Sequence, residues 1–248
     1  MEKILKNKTI LISGVGKGLG LEMLNNCIKH GAFVYGFTRS RKDIVKIKNK
    51  FKKNSKFFLG DATNEKFLKK LFQYFKKNKI ILNGLINNAG QRQRISFLEI
   101  KKKDIEKILN VNFLSTFLIS QYFVKNTQIK NKDSIVNIGS IVGEKPFIDL
   151  IGYASSKSAV SGFTKSLALE LAEKKYNIRV NCINPGFTKT SYYKKFKKNK
   201  KLYSWTLSKI SARRWGQSSE IAKLAIFLLS NKASYINGQV INIDGGWK

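Results

Sequence analysis

The sequence is poor in cysteine, histidine and proline. Its 248 residues hold two cysteines, one histidine and two prolines. Two cysteines are too few for a disulfide scaffold, and one histidine adds too little to make a zinc site. We therefore expect Cys27 and Cys182 to be buried, reduced thiols, and we expect no metal. His30 precedes Gly31 where a helix is predicted to end, so we interpret it as a helix C-terminal residue and not as a catalytic one.

Long hydrophobic runs are absent as well. No apolar segment approaches the roughly 18 residues that span a bilayer, and residues 1–8 lack the apolar core of a signal peptide. We therefore expect a cytoplasmic protein without membrane contacts. The hydrophobic fraction is 42% and the charged fraction 25%, which are typical of a folded globular domain.

Acidic residues are scarce: the sequence has 15 Asp and Glu but 48 Lys and Arg, which gives a net charge of +33. Such a positive field attracts polyanions. The lysines are spread over every predicted helix and loop, so we interpret the excess mainly as a compositional bias, and we keep an anion-binding hypothesis only for the dense run at 194–201. Nucleic-acid binding predicts basic and aromatic residues interleaved on one face, and only Tyr192–Tyr203 approaches that pattern. We expect no nucleic-acid partner.

Short β-branched runs alternate with longer amphipathic segments, a pattern typical of βαβ units and a parallel sheet. Strands are predicted at Thr9–Ser13, Ala32–Phe37, Lys56–Leu59, Asn83–Asn87, Ser134–Gly139, Ile178–Ile183 and Gln239–Ile243. Helices are predicted at Gly18–Lys29, Asn64–Lys77, Lys102–Lys125, Tyr153–Lys174 and Ser218–Leu229. The last helix begins with Ser-Ser-Glu, a capping signature. We predict one α/β domain over 1–248, a doubly wound parallel sheet of about seven strands with helices on both faces. Phe187–Trp215 fits neither pattern and is interpreted as a substrate loop.

Glycines follow the first predicted strand in Ser13-Gly14-Val15-Gly16-Lys17-Gly18-Leu19-Gly20. A phosphate can approach a backbone closely where side chains are missing, and a helix N-terminus offers it free N–H groups. The turn therefore suggests a dinucleotide site, with simple tight packing as the alternative. The second strand ends in Phe37-Thr38-Arg39-Ser40, where NAD enzymes usually place an acid and where a 2′-phosphate calls for a cation. Arg39 and Lys17 predict NADP(H), with NAD(H) as the alternative.

Tyr153 and Lys157 lie four residues apart, which places them on one face of a helix. A tyrosine titrates near pH ~10, and a neighbouring ammonium stabilises its phenolate, so that it can act as an acid or base. Ser140 ends the fifth predicted strand, at the edge where such sheets bind ligands. Asn112 is a polar residue on an apolar helical face, and its amide could hold a water near the lysine.

Together these motifs resemble the short-chain dehydrogenase/reductase family, from about Lys6 to the last residues. The matching segments are the glycine turn, Gly60-Asp61-Ala62-Thr63, Asn87-Asn88-Ala89-Gly90, Asn112, Ser140, Tyr153, Lys157, Asn184-Pro185-Gly186 and Asp244-Gly245-Gly246. The resemblance implies a Rossmann-type fold, hydride transfer between NADP(H) and a small-molecule ketone or secondary alcohol, and in most members a homotetramer.

The resemblance also implies residue roles. Ser140 would hydrogen-bond the substrate carbonyl and Tyr153 would exchange the proton. Lys157 would lower the pKa of Tyr153 and bind the nicotinamide ribose, and Asn112 would position a water in a proton relay. Asp61 would contact the adenine, Asn88 would border the cofactor cleft and Thr190 would touch the nicotinamide side. The implied cofactor-binding residues are Gly14, Lys17, Gly18, Leu19, Gly20, Arg39, Asp61, Ala62, Asn88, Ala89, Gly90, Tyr153, Lys157, Pro185, Gly186, Thr188 and Thr190.

The substrate remains open between two branches of the family. Residues 87–94, 212–216 and 244–247 resemble gluconate 5-dehydrogenases and deoxygluconate dehydrogenases, and Arg92 and Arg94 would suit a carboxylate. Residues 153–171 and 185–187 equally resemble 3-oxoacyl-[acyl-carrier-protein] reductases, whose acidic carrier a basic surface would suit. We favour a sugar acid or polyol bound near Arg92, Arg94, Ser140 and Tyr153. The acyl-carrier-protein reductase is the alternative, and a silent dinucleotide-binding scaffold is a more distant one.

Overall fold

A parallel β-sheet organises the chain in the computed structural model, which describes residues 2–127, 131–190 and 193–248. The main strands are β1 Thr9–Ser13, β2 Phe33–Thr38, β3 Ser55–Leu59, β4 Gly84–Asn87, β5 Asp133–Ile138, β6 Ile178–Pro185 and β9 Val240–Ile243, and the short strands β7 Thr188–Lys189 and β8 Gly216–Gln217 form a separate pair. Among the described residues the large sheet has the order β3-β2-β1-β4-β5-β6-β9, with all neighbours parallel. The chain order reverses beside β1, and such a reversal opens a ligand crevice at the carboxyl ends of the strands.

Helices follow most of the strands. They are α1 Gly18–Lys29, α2 Arg41–Lys50, α3 Glu65–Lys77, α4 Lys102–Leu109, α5 Ser115–Lys125, α6 Ile151–Glu173, α7 Tyr193–Lys197, α8 Lys200–Lys209 and α9 Ser218–Leu229. A π-helical turn, Asn110–Leu114, joins α4 to α5. None of these described helices is long and apolar enough to span a membrane.

Successive strand residues point to opposite faces of the sheet and enter different apolar cores. On β1, Ile10 and Ile12 pack with the core that contains α1 and α9, whereas Leu11 packs with the core that contains α3 and α5. All three side chains are fully buried, as expected of strands that are covered by helices on both sides. The prediction of a single doubly wound α/β domain of Rossmann type is confirmed.

The predicted strands are all present, with ends that shift by one or two residues. The helix predicted over Lys102–Lys125 has the right ends but is interrupted by the π-helical turn. The prediction that Ser-Ser-Glu caps α9 is corrected by one residue, because Gln217 is the N-cap and its backbone N–H donates to the Glu220 carboxylate at 2.7 Å. His30 ends α1 as predicted.

The prediction of a long loop at Phe187–Trp215 is wrong. The segment contains β7, α7 and α8, and its apolar side chains fold back onto the carboxyl edge of the sheet. Phe196 and Trp215 are buried in a small core with Ile141 and Trp247. The segment is therefore a helical cover packed on the molecule, although Tyr192, which belongs to the basic and aromatic run considered above, lies outside the described residues.

Candidate active site

The glycine turn between β1 and α1 is closely packed and pinned to the end of β4. Gly14 and Gly18 have φ values of 72° and 56°, which favour glycine. A Cβ at Gly20 would lie 2.5 Å from the Asn88 Nδ2 atom and closer still to the Gly14 carbonyl oxygen. Asn88 Nδ2 donates to the carbonyl oxygens of Ser13 and Gly14 at 3.1 and 3.0 Å. Gly14 and Gly18 thus adopt a backbone conformation that favours glycine, and Gly20 allows a close contact.

The Ser13 hydroxyl also binds the segment after β4. Its Oγ atom accepts hydrogen bonds from the backbone N–H groups of Asn88 and Ala89, both at 3.0 Å. A bare backbone turn that leads into a helix N-terminus suits the diphosphate of a dinucleotide. The residues present therefore fit the nicotinamide dinucleotide that the sequence implies, with Gly14, Lys17, Gly18, Leu19 and Gly20 forming the turn.

The second group of predicted cofactor residues lies at the ends of β2 and β3. The Arg39 guanidinium is 3.8 Å from the Asp61 carboxylate, and the two side chains are 66% and 37% exposed. The other Asp61 oxygen accepts hydrogen bonds from the backbone N–H and the hydroxyl of Thr63, both at 2.9 Å. Ala62 is buried beside them. Arg39 is thus an exposed cation, held by an acid, at the place where a 2′-phosphate is expected.

A cavity of about 610 Å³ joins the predicted cofactor and catalytic residues. Leu19, Asn88 and Gly90 line one side, and Ser140, Tyr153 and Lys157 line the centre. The segment after β6 closes the cavity through Pro185, Gly186, Thr188 and Thr190. The structure therefore brings Ser140, Tyr153 and Lys157 together with the nicotinamide-side candidates, while Asn112, Arg39 and Asp61 do not line this cavity.

Ser140 and Tyr153 meet in the cavity. Burial raises the pKa of Tyr153 above its ordinary value, and the neighbouring Ser140 side chain and the charge of Arg92 offset only part of that shift. Although Tyr153 is partly exposed as a residue, its phenol end lies deep enough to be desolvated. The phenol is therefore neutral at physiological pH, as a proton donor must be.

Lys157 lies on the same face of α6 as Tyr153 but is held by a different partner. Its Nζ atom donates to the Ile138 carbonyl oxygen at 2.7 Å and lies 6.0 Å from the centre of the Tyr153 ring. Burial lowers the pKa of Lys157 to about 8. The net shift of the Tyr153 pKa is upward because of burial, and the expectation that Lys157 lowers this pKa stays a prediction.

Asn112 is fully buried on the π-helical turn. Its Oδ1 atom accepts from the Gln91 backbone N–H at 2.7 Å, and its Nδ2 atom donates to the Gln91 carbonyl and to the Ser156 hydroxyl at 3.0 and 2.9 Å. The side chain thus joins the segment after β4 to the helix that carries Tyr153. π-helical turns are frequent at functional sites. The predicted water relay remains a prediction.

Asn184, for which the sequence predicts no role within Asn184-Pro185-Gly186, holds the backbone of the predicted catalytic serine. Its Oδ1 atom accepts from the Ser140 N–H at 3.0 Å, and its Nδ2 atom donates to Glu144 at 3.0 Å. Asn184 is fully buried. Its position beside the motif was the only signal in the sequence, because the contact joins residues far apart in the chain.

Aromatic rings and two arginines form the remaining wall. The helical cover contributes Phe196, Trp205 and Trp215, and Phe187 packs on Trp215 with ring centres 4.9 Å apart. Arg92 and Arg94 line the same cavity. The charge of Arg92 acts on Tyr153, whereas the Arg94 guanidinium lies 3.9 Å from the Asp149 carboxylate. The wall can accommodate an apolar surface, with a positive charge near the phenol.

A doubly wound sheet with a glycine turn after β1 and a Ser-Tyr-Lys group at the same edge defines a Rossmann-type oxidoreductase. The chain belongs to the short-chain dehydrogenase/reductase family, because the family model described as enoyl-(acyl carrier protein) reductase matches residues 14–248. Members of this family bind a nicotinamide dinucleotide. The chain is accordingly an oxidoreductase that acts on CH–OH groups.

The comparisons point to two branches of that family. The chain is 38% identical to a 3-oxoacyl-[acyl-carrier-protein] reductase from Buchnera aphidicola of Schizaphis graminum, with 98% of each chain covered. It is 31% identical to the 2-dehydro-3-deoxy-D-gluconate 5-dehydrogenase of Bacillus subtilis, over 98% of this chain and 95% of the relative. A crystal structure provisionally assigned as a gluconate dehydrogenase from Agrobacterium tumefaciens superposes with a TM-score of 0.93 at 27% identity, over 99% of this chain and 98% of that one.

Proposed function

We propose that this protein interconverts a ketone and a secondary alcohol with NADP(H), using Tyr153 as the proton donor and acceptor. The observation that carries the proposal is a single cavity that Ser140, Tyr153 and Lys157 line together with Leu19 and Asn88 beside the glycine turn. The bound nicotinamide supplies or accepts the hydride. The protein's own residues supply placement and proton transfer.

In this proposal each central side chain has a part. The Ser140 and Tyr153 hydroxyls both hydrogen-bond the substrate carbonyl oxygen, and the Tyr153 phenol, neutral because of its burial, then donates its proton as negative charge develops there. Lys157 in its charged form stabilises the phenolate that results. Asn112 and Asn184 hold the helix and the loop that carry Tyr153 and Ser140.

Arg39 and Lys17 support NADP(H) as the preferred cofactor. Arg39 is an exposed cation directly after β2, and Lys17 lies at the N-terminus of α1. A 2′-phosphate is a dianionic acceptor that a guanidinium can bind in a bidentate manner. The pairing of Arg39 with Asp61 keeps the guanidinium near the sheet edge, from which it can reach a ribose phosphate.

A keto-sugar acid is the substrate class that we favour. Arg92 places a positive charge close enough to influence Tyr153, so a carboxylate a few atoms from the reacting carbonyl would be stabilised there. The aromatic wall suits the C–H face of a sugar chain. The Bacillus subtilis relative and the Agrobacterium structure, both named for gluconate-type compounds, support this choice.

The second candidate is a 3-oxoacyl thioester carried by an acidic acyl carrier protein. The aromatic lining of the cavity suits an acyl chain, and the Buchnera aphidicola relative carries this name at 38% identity. The net charge of +33 would favour encounter with an acidic carrier. Under this candidate Arg92 would contact the carrier arm or the thioester end.

A substrate panel tests the proposal and separates its two candidates. The absorbance of NADPH and NADH is followed with 5-ketogluconate, related keto-sugar acids, and acetoacetyl groups on a carrier protein or a small thiol. Oxidation of NADPH with a keto-sugar acid, at a rate that Arg92→Met lowers, supports the favoured substrate. Oxidation of NADPH only with acetoacetyl thioesters supports the second candidate. If neither NADPH nor NADH is oxidised with any of these ketones, the proposal is contradicted.

A homotetramer is the assembly that we expect from the family resemblance. Apolar side chains at the start of α5 and on α6 support a partner-covered surface, since Leu114 is 44%, Phe117 39% and Leu169 65% exposed. Light scattering coupled to size-exclusion chromatography checks this expectation. A monomer at assay concentration would contradict it.

A further inference from the structure

An acidic side chain lies against the glycine turn, although no acid directly follows β2. Asp43 is in the first turn of α2, where its backbone N–H donates to the hydroxyl of the N-cap residue Ser40 at 3.2 Å. A Cβ built at Gly16 would lie 2.6 Å from the Asp43 Oδ2 atom and 2.8 Å from the Asp43 Cβ atom. The Asp43 side chain therefore fills the space over Gly16. Glycine is required at this position because a Cβ would not fit, and not because of the backbone conformation, since its φ is not positive.

The Asp43 side chain lies against the turn that carries Lys17, on the helix that begins just after Arg39. Lys17 directly follows Gly16, and Arg39 directly precedes Ser40. The Arg39 guanidinium is directed to Asp61, and the Asp43 side chain forms no hydrogen bond or ion pair with any residue that the structure describes. Asp43 is half-buried, so its oxygens keep their capacity to accept hydrogen bonds from a ligand at the turn.

We infer that Asp43 is a second determinant of cofactor choice and that it opposes Arg39 and Lys17. The inference rests on the proposed use of a nicotinamide dinucleotide. A carboxylate at the adenosine side of the turn accepts a hydrogen bond from a ribose hydroxyl of NADH and repels the 2′-phosphate of NADPH. The opposed charges leave a preference for NADP(H) that is moderate, so that both cofactors bind.

Cofactor binding measured without any substrate tests this inference. The Kd values of NADPH and NADH are measured by calorimetry for the natural protein and for Asp43→Asn. Loss of the carboxylate should raise the ratio of the NADH Kd to the NADPH Kd about tenfold, equivalent to about 1.4 kcal/mol. Arg39→Asp should shift the same ratio in the opposite direction.

Asp104→Asn is the matched control. Asp104 is also the third residue of its helix, where its carboxylate accepts the Lys101 backbone N–H at 3.1 Å. The substitution changes the net charge of the protein by the same amount as Asp43→Asn. The cofactor ratio should stay unchanged in this variant.

Three results would overturn the inference. They are an unchanged ratio in Asp43→Asn, an equal change in both affinities, and an equally large change of the ratio in Asp104→Asn. If the natural protein binds both cofactors and the ratio does not respond, the Asp43 inference fails while the proposed function stands. If the natural protein binds neither cofactor, both fail. Asp43→Ser, which keeps a small polar side chain in the first turn of α2, replaces Asp43→Asn if that variant does not fold.

Discussion

At the residue scale, burial governs the protonation of the two ionisable side chains at the centre of the site. It raises the pKa of Tyr153 and lowers the pKa of Lys157 to about 8, so the phenol is neutral at neutral pH while the lysine still carries its charge. A neutral phenol is ready to donate a proton to a carbonyl oxygen, whereas the oxidation direction requires it to lose that proton first. At neutral pH the phenol is therefore in the protonation state that ketone reduction requires.

The pKa of Lys157 predicts a pH limit on reduction. Because burial lowers this pKa to about 8, the side chain carries its stabilising charge below that pH and loses it above. We expect kcat for reduction with NADPH to fall as pH rises through about 8. In Lys157→Arg, whose guanidinium stays charged, any residual activity should not show this decline. A decline that persists unchanged in the arginine variant would contradict the assignment.

The positions of the central residues could be predicted from the sequence better than their interactions. Ser140, Tyr153 and Lys157 lie in one cavity, as their places at a strand end and on one helix face suggested. The bond from Lys157 to the Ile138 carbonyl and the bond from Ser140 to Asn184 could not be read from spacing. Both depend on how separate strands and helices pack.

At the element scale, the glycine turn is set by contacts that a methyl group would break. A Cβ at Gly20 would overlap the Gly14 carbonyl and the Asn88 amide, so Gly20→Ala must displace the turn or the segment after β4. We expect this variant to lose most of its affinity for NADPH and to unfold at a lower temperature. Calorimetric titration with NADPH and thermal unfolding measure the two effects.

Gly162→Ala is the matched control for the turn. Gly162 lies within α6, and a Cβ built there would meet no atom within 4 Å. Alanine is the better helix former, so this substitution should stabilise the protein by roughly 0.5–1 kcal/mol and leave NADPH affinity unchanged. Equal tolerance of both substitutions would show that the turn is not sterically constrained.

Elements with a clear apolar period were predicted well, and polar or irregular ones were not. α1 and α9 have the predicted ends. α2 was missed because only Ile44 and Ile47 of its ten residues are buried. Two buried residues among lysines give too weak an apolar periodicity to predict a helix. The helices of the cover over the cavity were missed because their apolar residues pack on Ile141 and Trp247, which are distant in sequence.

At the scale of the whole molecule, the positive charge exceeds what internal pairing can neutralise. The chain has 48 basic and 15 acidic residues, so most cations have no acidic partner available. The sequence analysis interprets the surplus of lysine and arginine as a general compositional bias. Such a surplus attracts any polyanion without selectivity. Selective binding must then come from the cavity and the glycine turn.

Salt distinguishes these two kinds of binding. Any nucleic acid retained at low salt should be released steeply, by about 10³-fold or more in affinity between roughly 50 and 200 mM salt, because phosphate contacts dominate it. NADPH affinity should fall far less, since neutral backbone groups of the turn also hold the cofactor. Filter binding and calorimetry across a salt series measure both. Sequence-dependent nucleic-acid binding that survives physiological salt would contradict this account.

The most direct test of the central claim compares Tyr153→Phe with the natural protein during NADPH oxidation, using a ketone that the natural protein turns over. Tyr235→Phe, at a fully exposed tyrosine, is the matched control. We predict that Tyr153→Phe lowers kcat by about 10²-fold or more while the Kd of NADPH stays nearly unchanged, and that the control behaves like the natural protein. Substantial turnover by Tyr153→Phe would show that another group transfers the proton and would contradict the account.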